Sequence, residues 1–315
     1  MTDICTNINY RLYVPGGNTT ALVVGLETSA AKRRIIQDKI MGMHREVEQV
    51  GFVSAAGDDP VLVMTGGEFC GNAARSAAWY YLGGRPGGLS MRVSGVGKAI
   101  RAGIDRAPDA WVEIPADGCV VKIVAEGVRR VEMEGITHLV VSVGASEKYL
   151  SALRGRQGAA ALLRSAKALS DAYTGRAGAN VAQGVIFAEN IVRKNASRTE
   201  LTAKDIAGVS ASKTGVETNG KLSACFDYGV KIHPCVFVGS AGTAFYETAC
   251  GSGSAAVAIA ACVEHNKDVE LRLIQPSGMT LEASAVISNG CVTYAKIKGP
   301  VIEIPMNHER KTTKA

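Results

Sequence analysis

The sequence predicts an α+β protein made of two similar halves, each a set of strands wrapped on one apolar helix, with a cleft where the halves meet. Three observations lead there. Strand-like runs outnumber helical ones along the 315 residues. The segment FCGNAARSAAWYYL, from Phe69, shares its plan with ACGSGSAAVAIAACV, from Ala249: Cys-Gly-polar, then small and apolar residues able to form a buried helix. The composition is 47% apolar yet only 5% aromatic, with 36 glycines, which suits close approach of sheets and helices rather than bulky aromatic cores.

Taken in chain order, strands are predicted at 21–26, 50–54 and 61–64. Between the first two lies a helix that Ser29 can cap, with Ile36, Ile40 and Met43 at helical spacing. The first Cys-Gly helix starts at Cys70. Strands follow at 91–96, 120–125 and 138–143, then an Ala- and Leu-rich helix over 155–173. Strands at 185–188 and 236–239 flank a polar stretch, 194–220, read as an exposed excursion. The second Cys-Gly helix starts at Cys250, and strands at 269–274 and 292–297 complete the set. The predicted organisation is an N-terminal half, 1–135, carrying Cys70, and a C-terminal half, 136–298, carrying Cys250. A closing strand, 299–306, returns to the first half, and 307–315 forms a flexible tail.

Charge and targeting signals narrow the function classes. Lys plus Arg exceed Asp plus Glu by 35 to 29, but the excess sits in short clusters such as Lys32-Arg33-Arg34, with no basic stripe and no aromatic interleaving. Nucleic-acid binding is therefore not expected. The opening residues lack a basic start with an apolar run, and no stretch reaches the roughly 18 uninterrupted apolar residues of a membrane helix. A cytoplasmic protein without membrane contact is expected. Eight cysteines occur without a CxxC pair, which suggests reduced thiols and no metal site.

The two matched cysteines carry the chemistry. A thiol at a helix N-terminus meets unpaired N–H groups and the positive end of the dipole, which favour thiolate. The same N–H groups can hold a carboxylate. Gly71 and Gly251 allow a ligand to approach the backbone, while Asn72 and Ser252 add polar partners. If both helix starts face one cavity, a thiolate on one face removes an α-proton, the helix-end donors stabilise the charge, and the opposite thiol protonates the other face. That is racemisation of an amino acid without a cofactor. Cys5, Cys119, Cys225, Cys235, Cys262 and Cys291 lack this context. A cysteine hydrolase would need a histidine partner, and His44, His138, His233, His265 and His308 lie in no recognisable motif. A non-catalytic amino-acid-binding protein is the remaining rival from another class, although binding alone needs no thiol on each face.

CGNAAR (Cys70 to Arg75) and ACGSGSA (Ala249 to Ala255) resemble the two signature motifs of the cofactor-independent diaminopimelate epimerase superfamily. The resemblance implies that family's fold, a β-barrel-like sheet around a central helix in each half, with Cys70 and Cys250 as the acid/base pair. It also implies substrate contacts at Asn18, in GGNTTALVV, and at Gln49, in EQVGFV, and the closing strand in KGPVIEI. A homodimer is what the family suggests. The sequence departs from the epimerases themselves. Ala73 replaces a glycine, VGASE puts Ala145 where that family has Asn, and the Glu-Arg pair before the second motif is absent. Without the Arg fork a second substrate carboxylate loses its bidentate partner, which disfavours diaminopimelate. A nearer resemblance is to the histidine racemases of staphylopine-type metallophore biosynthesis, through GGNTTALVV, EQVGF, MTGGEFCGNA and the stretch from IHP to ETACGSG. It implies histidine as substrate, with another racemase or epimerase of the same fold as the alternative. Glu48, Tyr246 and Glu247 are candidate contacts to the substrate side chain, the alternative for Glu48 and Glu247 being ordinary surface charges.

Overall fold

The computed structural model describes residues 8–26, 29–154, 158–174, 182–190 and 230–305. The 194–220 stretch, the 307–315 tail, Cys5, Cys225 and His308 lie outside them. The chain opens with β1 (Tyr10–Pro15), β2 (Thr19–Val24), α1 (Ala30–Met43), β3 (Val47–Val53), β4 (Val61–Met64) and α2 (Gly71–Leu82). It continues through β5 (Gly87–Val93), β6 (Ile100–Arg106), β7 (Asp109–Ile114), β8 (Val120–Ala125), β9 (Val128–Met133) and β10 (Ile136–Val141). Two helices, α3 (Val143–Leu150) and α4 (Gly158–Tyr173), precede β11 (Ala182–Asn190), β12 (Val230–Val238), β13 (Thr243–Tyr246) and α5 (Gly251–His265). The described chain ends with β14 (Val269–Ile274), β15 (Thr280–Ser288) and β16 (Cys291–Ile304).

The result is a mixed, sheet-dominated α+β fold. Strands run in the order β1-β2-β3-β4-β5-β6-β7-β16-β15-β14-β12-β11-β10-β9-β8, with β13 paired to β12. The 14-residue β16 belongs to both ends of this path. Its first part pairs with β15, its middle with β7, and its last residues with β1, where Leu12 meets Ile304. The strands β1 to β7 thereby close on themselves around α2, with no free edge between β7 and β1.

Alanine makes this closure possible. Ala73, Ala74, Ala77 and Ala78 of α2 are fully buried, and in α5 Ala255, Ala256, Ala258 and Ala260 are buried beside Ile259 and Cys262. Small side chains let a helix sit inside a strongly curved sheet, and alanine is also the strongest helix former. The two helices are framed alike. Cys70 and Cys250 are the N-caps, with φ,ψ of −133°,111° and −131°,110°, and Gly83 and Asn266 end them in the left-handed conformation.

The surface helices depart from expectation. In α1, Ile40 is buried but Met43 is 54% exposed, and Gln37 is buried because its amide donates to Ala241 O at 3.1 Å. VGASE, the stretch with Ala145 in place of Asn, opens α3, a helix the sequence reading did not include, and the strands β1, β6, β7, β9, β13 and β15 were not anticipated.

Candidate active site

The N-termini of α2 and α5 abut. A Cβ added to Gly71 would lie 3.4 Å from the Ser252 backbone N, and one added to Gly251 would lie 3.3 Å from the Asn72 backbone N. Both would also strike Ile297 Cδ1 of β16, at 2.8 and 2.6 Å. Glycine at both positions thus lets the helix starts meet without displacing Ile297 or crowding the facing backbone. Asn72 fastens the junction by donating from Nδ2 to Ala249 O at 2.8 Å, and its Oδ1 accepts from the fully buried Arg75.

Both cysteines line one cavity, with Gly71, Asn72, Gly251 and Ser252 at its helix-end wall. Each sulfur accepts a hydrogen bond from its own helix, Ala73 N–H to Cys70 Sγ at 3.4 Å and Gly253 N–H to Cys250 Sγ at 3.3 Å. The other first-turn amides lack an intrahelical carbonyl partner, and the Asn72 N–H also bears on Cys70. Burial nevertheless pushes both thiols up, and nearby carboxyl groups add to the effect while the helix N–H groups oppose it. The expected lowering by the helix ends is thus outweighed by desolvation.

Glu48 and Gln49 reach the cavity together because of an irregularity in β3. The parallel pairing with β2 runs Thr19 to Val47 and then Thr20 to Gln49, leaving Glu48 as the extra residue. Gln49 Oε1 accepts from the Cys70 thiol at 2.6 Å, and its Nε2 donates to Glu247 Oε1 at 3.2 Å. Glu48 accepts from the Thr248 hydroxyl and from Asn18 Nδ2, at 2.5 and 2.6 Å. Asn18 is fully buried behind Glu48 and is not among the residues lining the cavity. It orients a carboxyl group that does line it.

Strand alternation corrects one expectation. Thr243 and Phe245 of β13, followed by Glu247, line the cavity, whereas Tyr246 points to the other face. Its hydroxyl lies 2.7 Å from His233 Nδ1, and its ring packs in a separate cluster with Phe237 and Cys235. Phe245 takes the place expected for Tyr246.

Sequence reading missed Glu68, Gln275 and His138. Glu68 is buried in the cavity wall with Oε2 unpartnered among the described residues. Gln275 accepts from Cys250 N–H at 3.0 Å. His138 lies behind Ser252. Glu68 stands in MTGGEFCGNA two residues before Cys70, where only its burial singles it out, whereas Gln275 and His138 sit in no local motif and arrive from elements distant in sequence.

Burial raises Glu48 to about 7 and Glu247 to about 8. Above pH 4.5 the unfolded chain releases the Glu247 proton while the folded protein keeps it, so stability falls as pH rises from about 4.5 to about 8. Glu247→Gln is expected to flatten that decline, read as the urea midpoint against pH. An unchanged slope would show that Glu247 does not titrate in this window.

Comparison with known proteins follows the same outline. A hydroxyproline epimerase from Agrobacterium vitis aligns over 94% of this chain and 90% of its own, with a TM-score of 0.54 and 11% identity. A phenazine biosynthesis protein of the PhzF family from Enterococcus faecalis aligns over 94% and 96%, with a TM-score of 0.51 and 12% identity. At these identities the likeness is one of fold. A histidine racemase of Staphylococcus aureus (strain Mu50 / ATCC 700699) is 38% identical over 73 residues, 22% of this chain, and the match spans only 27% of that protein's length. The profile of a family described as histidine racemase CntK N-terminal domain matches residues 7–168 and 181–305, which takes in both cysteine-capped helices, and the chain belongs to that family.

Proposed function

We propose that the protein is a cofactor-independent amino-acid racemase, acting on histidine through two-base proton transfer between Cys70 and Cys250. The observation that carries this reading is the meeting of two cysteine-capped helix starts at one cavity. The helix-start amides of Gly71, Asn72, Gly251 and Ser252 would hold the substrate carboxylate, placing the α-carbon between the sulfurs. One thiolate takes the α-proton, the helix ends stabilise the charge that spreads into the carboxylate, and the other thiol returns a proton from the opposite face. The diaminopimelate epimerase fold, with one half around α2 and the other around α5, is part of the same proposal.

The cavity wall also bears on the side chain. Glu48, Glu68 and Glu247 line it, and no Lys or Arg does among the described residues. A substrate with a second carboxylate would find no cationic partner there, whereas an imidazole offers N–H groups to the glutamate oxygens. This favours histidine over diaminopimelate.

The test incubates each histidine enantiomer with dialysed protein in D2O and follows the α-proton by NMR. Exchange with inversion is expected, persisting in EDTA and without added pyridoxal phosphate. Cleavage products would mean a hydrolase, and silence across all amino acids would mean a binding protein. Loss of turnover in EDTA that metal restores would overturn the cofactor-independent mechanism.

A further inference from the structure

His138 stands in the middle of β10, fully buried, in register with Gly184 of the parallel β11. A Cβ on Gly184 would come within 2.3 Å of His138 Nδ1, so the ring fills space that glycine alone leaves open. Its Nε2 is 3.0 Å from Ser252 Oγ, and that hydroxyl is 3.7 Å from Cys250 Sγ. Nδ1 is buried and has no hydrogen-bond partner among the described residues.

This arrangement assigns the tautomer. With the proton on Nε2, every hydrogen in the chain has an acceptor: Nε2–H donates to Ser252 Oγ, and the Ser252 hydroxyl donates to the sulfur. With the proton on Nδ1, a buried N–H would be orphaned, and the hydroxyl would turn towards Nε2 and away from Cys250. Burial lowers the imidazole pKa to about 3, so the ring stays neutral and the order of donors is preserved. Each thiol also meets an acceptor, Glu247 for Cys250 and the Gln49 amide oxygen for Cys70, but the serine hydroxyl backed by a buried imidazole belongs to the Cys250 side.

We propose that His138 is a positioning residue that locks Ser252 as a hydrogen-bond donor to Cys250, stabilising the thiolate when Cys250 is the base. The proposal rests on the two-thiol reading. Its chemistry balances simply: the Cys250 thiolate takes the substrate α-proton and becomes a thiol, while His138 and Ser252 keep their own protons throughout.

Because the L/D equilibrium constant fixes the ratio of the two kcat/KM values, the test uses single-thiol backgrounds. In Cys70→Ser protein, where α-proton exchange into D2O depends on Cys250, His138→Leu is expected to slow exchange about 10- to 100-fold, the worth of one hydrogen bond to a charged sulfur. His138→Gln, which can still offer an N–H to Ser252, should restore part of the loss. In Cys250→Ser protein, where exchange depends on Cys70, the same changes should alter the rate by less than about twofold. Ser252→Ala leaves the imidazole in place, should slow the Cys250-dependent exchange in the same way, and should make His138→Leu without further effect there. Equal slowing in both backgrounds, or no slowing in the first, would overturn the role of His138 and leave the two-thiol reading standing. No exchange in either single-thiol background would overturn that reading and this inference with it.

Discussion

Cys70→Ser and Cys250→Ser are each expected to lose racemisation by about a thousandfold or more. Serine retains the shape of the side chain, but its hydroxyl is far too weak an acid to form the base near neutral pH. Binding should survive, since the amides of Gly71, Asn72, Gly251 and Ser252 are backbone groups that the substitutions leave in place. The remaining thiol should still exchange the α-proton that points at it. The two variants should therefore show opposite enantiomer preference in residual D2O exchange, read by NMR on separate L and D samples. Wild-type racemisation in both variants, or exchange of the same enantiomer by both, would defeat the two-face mechanism.

Arg75→Ala is expected to cost about 3 to 5 kcal/mol of folding stability. Arg75 is fully buried inside the first sheet, where burial lowers it to about 10 and so leaves it charged at neutral pH. One nitrogen donates to Gly299 O of β16 and another to Asn72 Oδ1, both at 3.0 Å. It ties the start of α2 to the strand that both parts of the sheet share. Truncation leaves a cavity and two acceptors without their donor. Arg75→Met fills most of the volume but still orphans those oxygens, so its loss should be smaller. Urea unfolding measures both variants, and an alanine variant within about 0.5 kcal/mol of wild type would show that the guanidinium does not hold the junction.

The parts legible in the sequence were those with a local signature. The repeated Cys-Gly plan located the start of both central helices, because the cap, the glycine and the run of alanines are adjacent in the chain. The strands at 61–64, 120–125 and 269–274 were legible for the same reason, being short β-branched runs with clear ends. DAWVEI of β7 alternates buried and half-buried residues, yet its charged and small members hide the pattern from a hydrophobic count. The choice between Tyr246 and Phe245 depends on which face of β13 the pairing with β12 presents, and one residue of register reverses it. His138 could not be recognised as a neighbour of Cys250 because 112 residues separate it from that cysteine, and only the parallel pairing of β10 with β11 makes room for its ring.

The strand β16 makes the cavity depend on a segment far from β1 in the sequence. β1 and β7 each lack a neighbour until residues 295–304 are in place. Until then the first sheet has two open edges, and Ile297 is absent from beneath the paired helix starts. The two cysteine-capped helix starts therefore share a support that arrives only with β16, and the pairing of Leu12 with Ile304 closes one of the longest loops among the described residues. Such a closure favours slow folding, with an interval in which strand edges must be kept from other chains.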